Sequence, residues 1–216
     1  VKKYLLISIF FSFFEIINAQ SNDYKSIITI SAFAPFRDQR YNIGYMRKIN
    51  ERWWVGTELA YGTSKITPVS IDHFEGKNRI FEIKPEVFYS LAPQSRLKHF
   101  VSAEVFYLNQ IGKEISGKYY DENDVYYSFS SADYKRTKYG LNINYSILLH
   151  KESSWFGFMP KIGFGIRQRN ISYNNMIGRE EEDAPRDGLP FDYHLNQQGS
   201  NLRFNFNVDM KFIFKF

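Results

Sequence analysis

The chain has 216 residues, the length of one ordinary domain, and contains no cysteine, which excludes a disulfide framework and a thiolate zinc site. Aromatics make up 19% of residues, with 21 Phe and 16 Tyr, yet mean hydropathy is -0.42; that average is too polar for a helical membrane protein, whose spans each need about 18 or more apolar residues. The net charge of +5 comes from interspersed acids and bases and does not argue for nucleic acid as a partner.

The first segment, VKKYLLISIFFSFFEIINAQ, has Lys2 and Lys3, then an apolar stretch from Leu5 to Phe14, then Ala19 at a cleavage position. This is the layout of a secretory signal peptide. We expect residues 1–19 to be cleaved and residues 20–216 to form the mature domain. No cysteine follows the apolar stretch, so a lipoprotein anchor is not expected.

No segment shows a helical period, whereas period-2 alternation recurs eight times. Ile28, Ile30, Ala32 and Ala34 share one face of a first predicted strand, and Tyr41, Ile43, Tyr45 and Ile49 one face of a second. Trp53, Val55, Thr57, Leu59 and Tyr61 mark the third; Phe81, Ile83, Pro85, Val87, Tyr89 and Leu91 the fourth. Val101, Ala103, Val105, Tyr107 and Ile111 mark the fifth; Tyr139, Leu141, Ile143, Tyr145, Ile147 and Leu149 the sixth. Phe156, Phe158, Pro160, Ile162, Phe164 and Ile166 mark the seventh, and the terminal LRFNFNVDMKFIFKF, residues 202–216, the eighth. The opposite faces carry charges, Asn and Gly. Pro85 and Pro160 each remove a ladder donor, so a bulge or a missing bond is expected at both.

The connections 50–52, 92–98 and 150–154 are short; 65–77, 112–135 and 170–200 are long and polar. Long connections at one end and short ones at the other are the pattern of an up-and-down outer-membrane barrel. A soluble sandwich or lipocalin-like barrel also alternates, but the apolar face here is too large and continuous for one small core. The Gly-rich polar face suits a crowded interior. Strands of about 9 to 11 residues cross the hydrocarbon when tilted, and in lipid the sheet must close. The aromatics near strand ends, Trp53, Tyr61, Tyr89, Tyr107, Tyr139, Trp155 and Phe156, match interfacial girdles.

These features together resemble the small outer-membrane β-barrels of Gram-negative bacteria, of the OmpA transmembrane domain, OmpX and OmpW type. The resemblance covers the whole mature chain and rests on architecture, without a catalytic motif. It implies an all-β, eight-stranded antiparallel up-and-down transmembrane barrel with short periplasmic turns and long extracellular loops. It also implies that the end of the chain, with Phe212, Phe214 and Phe216, is a recognition signal for the barrel-assembly machinery, and that outer-membrane lipids and lipopolysaccharide are its surroundings.

On the polar face, Glu58, Glu82, Glu86, Glu104 and Asp209 can meet Lys84, Lys138, Lys161, Arg167, Arg203 and Lys211 across a narrow lumen. At mid-height the third to fifth strands lean acidic, and the sixth to eighth supply most of the bases. Pairing them avoids uncompensated buried charge, and eight strands leave little free bore; a salt-bridge plug is expected, with a narrow ion or solute channel as the alternative.

For catalysis, His99 and His150 fall in the short turns, and His73 in a loop beside Asp72. His194, in FDYHLNQQGSN with Asp192 and Ser200 nearby, distantly resembles the His-x-Ser-Asn stretch of lipid A 3-O-deacylases, but Asn196 stands at the nucleophile position. A lipid-A-modifying hydrolase is therefore a minor alternative and no catalytic residue is assigned. No cofactor or metal site is expected, since the acidic GREEEDAPRDGLPFDY stretch lacks EF-hand spacing. The Tyr-rich stretch from Gly112 to Tyr134 reads as an exposed loop suited to contact with a surface or outer-membrane protein partner.

Overall fold

The computed structural model describes residues 24–37, 39–63, 74, 78–95, 97–151, 154–183 and 197–216. The expected signal peptide, His73 and the His194 segment with Asp192 and Asn196 lie outside the described residues. Among the described residues there are nine strands and one short helix: β1 (Ser26–Ser31), α1 (Ala34–Arg37), β2 (Tyr41–Lys48), β3 (Trp53–Thr63), β4 (Arg79–Ser90), β5 (Lys98–Tyr120), β6 (Tyr126–His150), β7 (Phe156–Ile177), β8 (Glu180–Glu181) and β9 (Gly199–Lys215).

The chain is all-β, and eight of the strands form one antiparallel ring. Each of β1 to β7 pairs with its neighbour in sequence, β9 pairs with β7, and β9 closes on β1 through Ile28↔Phe214 and Ile30↔Phe212. The ninth strand, β8, is a two-residue addition beside Tyr127 and Ser128 of β6. The eighth strand expected from the sequence is thus β9. Its alternation drives this placement: Phe204 and Phe206 project outward, 89% and 71% exposed, while Asn205 and Asn207 turn inward. Phe206 stands directly opposite Phe164 of β7, itself 68% exposed.

Both proline expectations hold as missing pairings, without a change of register. Opposite β5, pairing runs from Ile83↔Tyr107 to Glu86↔Glu104 and skips Lys84 and Pro85. Opposite β6, it skips Met159 and Pro160 between Ser146↔Lys161 and Leu149↔Phe158. Each proline still pairs on its other side, with Thr57 and Met210 respectively.

Three expectations need correction. Ala32 and Ala34 do not continue β1: the strand ends at Ser31, whose hydroxyl accepts the Ala34 amide at 3.2 Å and caps α1. The stretch 112–135 is not a loop. β5 and β6 run on as a paired ribbon to Tyr120↔Tyr126, and the turn between them is short. Asp121 builds that turn by accepting the amides of Asn123 at 2.8 Å and Val125 at 2.9 Å. Likewise, β7 reaches Ile177, well into the predicted loop 170–200. The strands β5, β6 and β7, of 23, 25 and 22 residues, therefore far exceed the expected 9 to 11, whereas β3 and β4, of 11 and 12, do not. From Ile111 to Tyr120, at about 3.3 Å per residue, the sheet extends roughly 30 Å beyond the ring.

An aromatic cluster makes this extension possible. Tyr119, Phe129, Ala132, Tyr134, Ile171 and Tyr173 bury one another, with Phe74 packed against them. Tyr173 is the hub, with ring centroids 4.9 Å from Tyr119 and 5.4 Å from both Phe129 and Tyr134. A two-stranded ribbon alone is marginal in water; β7 supplies a third strand and this cluster a core.

Candidate functional site

The interior of the ring is built in three levels. At the end of the short connections, the inward side chains are apolar: Ile27, Met46, Trp54, Phe88, Phe100, Leu148, Met159 and Ile213 form one buried cluster. Trp54 meets Phe100 edge to face at 5.9 Å, and Phe100 meets Phe88 at 6.0 Å. Ile213, which breaks the alternation of the last strand, is fully buried here. This seal was not foreseen from the sequence. Its signal is an apolar residue on the otherwise polar face, recurring near the same end of successive strands.

Above the seal lies a level of buried ion pairs. Lys161 on β7 bridges Glu86 at 2.7 Å and Glu104 at 2.6 Å. Lys211 on β9 and Lys84 on β4 both reach Glu58 on β3, the latter at 2.8 Å, and Lys84 also meets Glu82 at 3.2 Å. Amides and a hydroxyl supply further donors to Glu58, Glu86 and Glu104. Asn42 donates to Glu58 at 2.8 Å, Asn142 to Glu104 at 2.8 Å, Asn144 to Glu86 at 3.1 Å and Ser102 to Glu86 at 2.5 Å. This satisfaction is what makes buried charge tolerable.

Seven of the eleven charged residues expected in the lumen are thus joined: Glu58, Glu82, Lys84, Glu86, Glu104, Lys161 and Lys211. Arg40 joins them unforeseen, with its Nε 2.9 Å from Glu82; it precedes the first residue of β2 and so lay outside the predicted strand. The other four stand apart from these pairs; Lys138 faces Arg169 in the β6–β7 register. Asp209 accepts the Ser31 hydroxyl at 2.6 Å, Arg167 donates to Asn205 at 3.3 Å, and Arg203 stands opposite Arg167 in the β7–β9 register.

Glycines make room for a second set of bridges. Asn205 donates to Asn142 at 2.7 Å and Asn207 to Asn144 at 3.1 Å, from β9 to β6 across the intervening β7. They pass over Gly165 and Gly163. A Cβ at Gly163 would fall 2.0 Å from Asn144 Oδ1, and one at Gly165 would fall 2.6 Å from Asn142 Oδ1.

Toward the end of the extension, the third level is a cavity of about 560 Å³. Its floor is Glu82, Lys84 and Glu104; its walls include Arg40, Arg136, Lys138, Arg167, Glu114 and Tyr134. Burial pushes the Glu114 carboxyl up to about 7, against the opposing pull of Arg136.

No family model and no curated protein matches this chain. The site must therefore be read from its own chemistry. Among the described residues, no three His, Asp or Glu side chains gather as a metal site would require. His99 bonds Tyr145 at 2.6 Å and His150 bonds Tyr24 at 3.2 Å, both at the end of the short connections.

On the outer surface, the predicted girdle residues fall into two groups. Trp53 packs on Tyr89 at 5.0 Å, and Trp155 and Phe156 pack on Phe214, at the end of the short connections. Phe156 also stacks on Phe212, and Tyr45 neighbours Phe216. Tyr61, Tyr107 and Tyr139 stand exposed nearer the other end, with Tyr107 directly opposite Tyr139.

Proposed function

We propose that this chain is a non-enzymatic integral outer-membrane β-barrel, with a lumen plugged by charge and a surface extension available for interaction. The observation that carries this reading is the inversion of the ring. Isoleucine, leucine, valine and phenylalanine are exposed around its outside, while carboxylates and ammoniums are buried within. A water-soluble ring would place them the other way. Bilayer hydrocarbon is the solvent that favours this arrangement, and a closed ring pairs the backbone as lipid demands. In this reading the surroundings are outer-membrane lipids and lipopolysaccharide. The assembly machinery takes up the terminal strand with Phe212, Phe214 and Phe216, and the β5–β7 extension meets a surface or outer-membrane protein partner. Heat-modifiable gel migration and membrane fractionation of a Gram-negative host test it. Faster migration without boiling, with the protein in the outer-membrane fraction, is the expected result; a soluble protein with a single unshifted band would refute it.

A narrow channel is the second reading, favoured by the 560 Å³ cavity. The apolar cluster around Trp54, Phe88 and Phe100 argues for a lumen closed at one end. Planar bilayers holding the purified protein are expected to show no conductance steps. Steps that disappear on altering Lys161 or Glu104 would replace the plug with the channel.

A further inference from the structure

The cavity holds more positive charge than the ion pairs consume. On its floor, Glu82 is engaged by Arg40 and Lys84, and Glu104 by Lys161 and Asn142. Of the cations in its walls, Arg136, Lys138 and Arg167 form no ion pair with any described carboxylate. The Nε–H groups of Arg136 and Arg167 are buried and donate to no acceptor. Leaving such donors unmet costs free energy.

The register adds a second, independent observation. Lys138 on β6 lies directly opposite Arg169 on β7, and Arg167 on β7 directly opposite Arg203 on β9. Like charges directly opposite in a sheet are destabilising. Here two such pairs stand side by side, facing inward, where water screens poorly. An anion seated among Arg136, Lys138 and Arg167, which line the cavity together, would offset this crowding of positive charge. Guanidinium forks on neighbouring strands match the geometry of a tetrahedral oxyanion. The cavity volume lies within the range of small-molecule sites.

We propose that this cavity is a binding site for a small, multiply charged, phosphate-type oxyanion, held by Arg136, Lys138 and Arg167. The ligand is a free, soluble anion: the cavity lies inside the ring, so a lipid-borne phosphate would have to bring acyl chains into a polar lumen. The floor of ion pairs gives the anion a fixed seat and the apolar seal closes the path beyond it. The site is therefore for capture, with no route through.

Thermal unfolding of the purified wild-type protein in zwitterionic detergent, at constant ionic strength, is the first test. Pyrophosphate is expected to raise the melting temperature saturably, and sodium chloride not to. An equal rise with chloride, or no rise in protein that keeps its heat-modifiable migration, would overturn the proposal. Phosphatidic acid in the micelles at matched phosphate concentration is expected to have no effect; a shift with it alone would overturn the assignment to a soluble anion. Calorimetric titration of pyrophosphate into Lys138→Gln and Arg167→Gln is expected to show affinity weakened roughly tenfold or more in each. Lys135→Gln, on the outward face of β6, is expected to bind as wild type. Unchanged affinity in both lumen variants would equally sink the proposal, and the wild-type measurement stands even if neither variant folds.

Discussion

Glu86 and Glu104 face each other directly across the β4–β5 pairing, and the ammonium of Lys161 bridges them from β7. Two carboxylates opposite one another repel; one cation, buried with them, turns the repulsion into a link between the two sides of the ring. Removing only the cation leaves both carboxylates buried and uncompensated. Lys161→Met is expected to lower stability by about 3–5 kcal/mol, seen as an earlier midpoint of urea unfolding in micelles or vesicles. The triple change Lys161→Met, Glu86→Gln and Glu104→Gln is expected to recover most of the loss. A Lys161→Met protein with an unchanged midpoint would show that the bridge contributes nothing.

Gly163 and Gly165 owe their place to the asparagines passing over them. Gly163→Ala would push against Asn144 Oδ1 and the carbonyl of Ile143, the latter 2.7 Å from the new carbon. Because part of this obstacle is backbone, rotation of the Asn144 side chain is not enough to relieve it. The expected penalty is about 1–3 kcal/mol. Asn144→Ala together with Gly163→Ala should be milder than the sum of the two changes. Additive unfolding energies would refute the link.

Tyr173 is the hub of the aromatic cluster, yet its hydroxyl is buried without a partner. Burial drives its ionisation upward, so the phenol stays neutral. Tyr173→Phe keeps the ring contacts and removes the orphaned hydroxyl; resistance of the β5–β6 ribbon to limited proteolysis should hold or improve. Tyr173→Ala, which empties the hub, should cost about 3–5 kcal/mol and expose the ribbon to cleavage. Faster cleavage of Tyr173→Phe than of wild type would mean that the hydroxyl has a role in binding the cluster together.

Glu114 makes the base of the extension sensitive to pH. Its carboxyl is raised to about 7 by burial, with Arg136 opposing, and Tyr134 and Tyr173 close enough to be felt. An acid whose folded value lies above its unfolded value stabilises fully at low pH. That stability falls as pH rises through the ordinary carboxylate range and levels off above about 7. Amide exchange in the β5–β6 ribbon is therefore expected to be of order tenfold slower at pH 5 than at pH 8, after correction for the intrinsic rate. Glu114→Gln should flatten the dependence. Equal protection at both values in wild type would refute the assignment.

Much of the ring was legible because period 2 is a strong signal where the two faces differ as much as Phe204 and Asn205. The ion-pair set was legible as a composition, Glu58, Glu86 and Glu104 against Lys161 and Lys211, though not as partners, because partnership depends on the stagger of strands far apart in sequence. The extension was hidden by its polarity: Ser128, Ser130, Lys135 and the acids of the turn look like loop, and only the spacing of Tyr127 and Phe129 continues the alternation. Arg40 and the cationic cavity were missed for a related reason. Lys138 and Arg167 read as lumen bases seeking acids, Arg136 and Arg169 carry no signal of their own, and only the pairing of β6 with β7 gathers them.

The unequal lengths of the strands bear on how anything would dock at the surface. The segment around Asp121 stands on three paired strands and a packed aromatic core, so its shape exists before any encounter. A flexible loop surrenders conformational entropy each time it is gripped; this ribbon has already done so during folding. Recognition at its tip would proceed by rigid fit, favouring partners of complementary shape over those that must be wrapped.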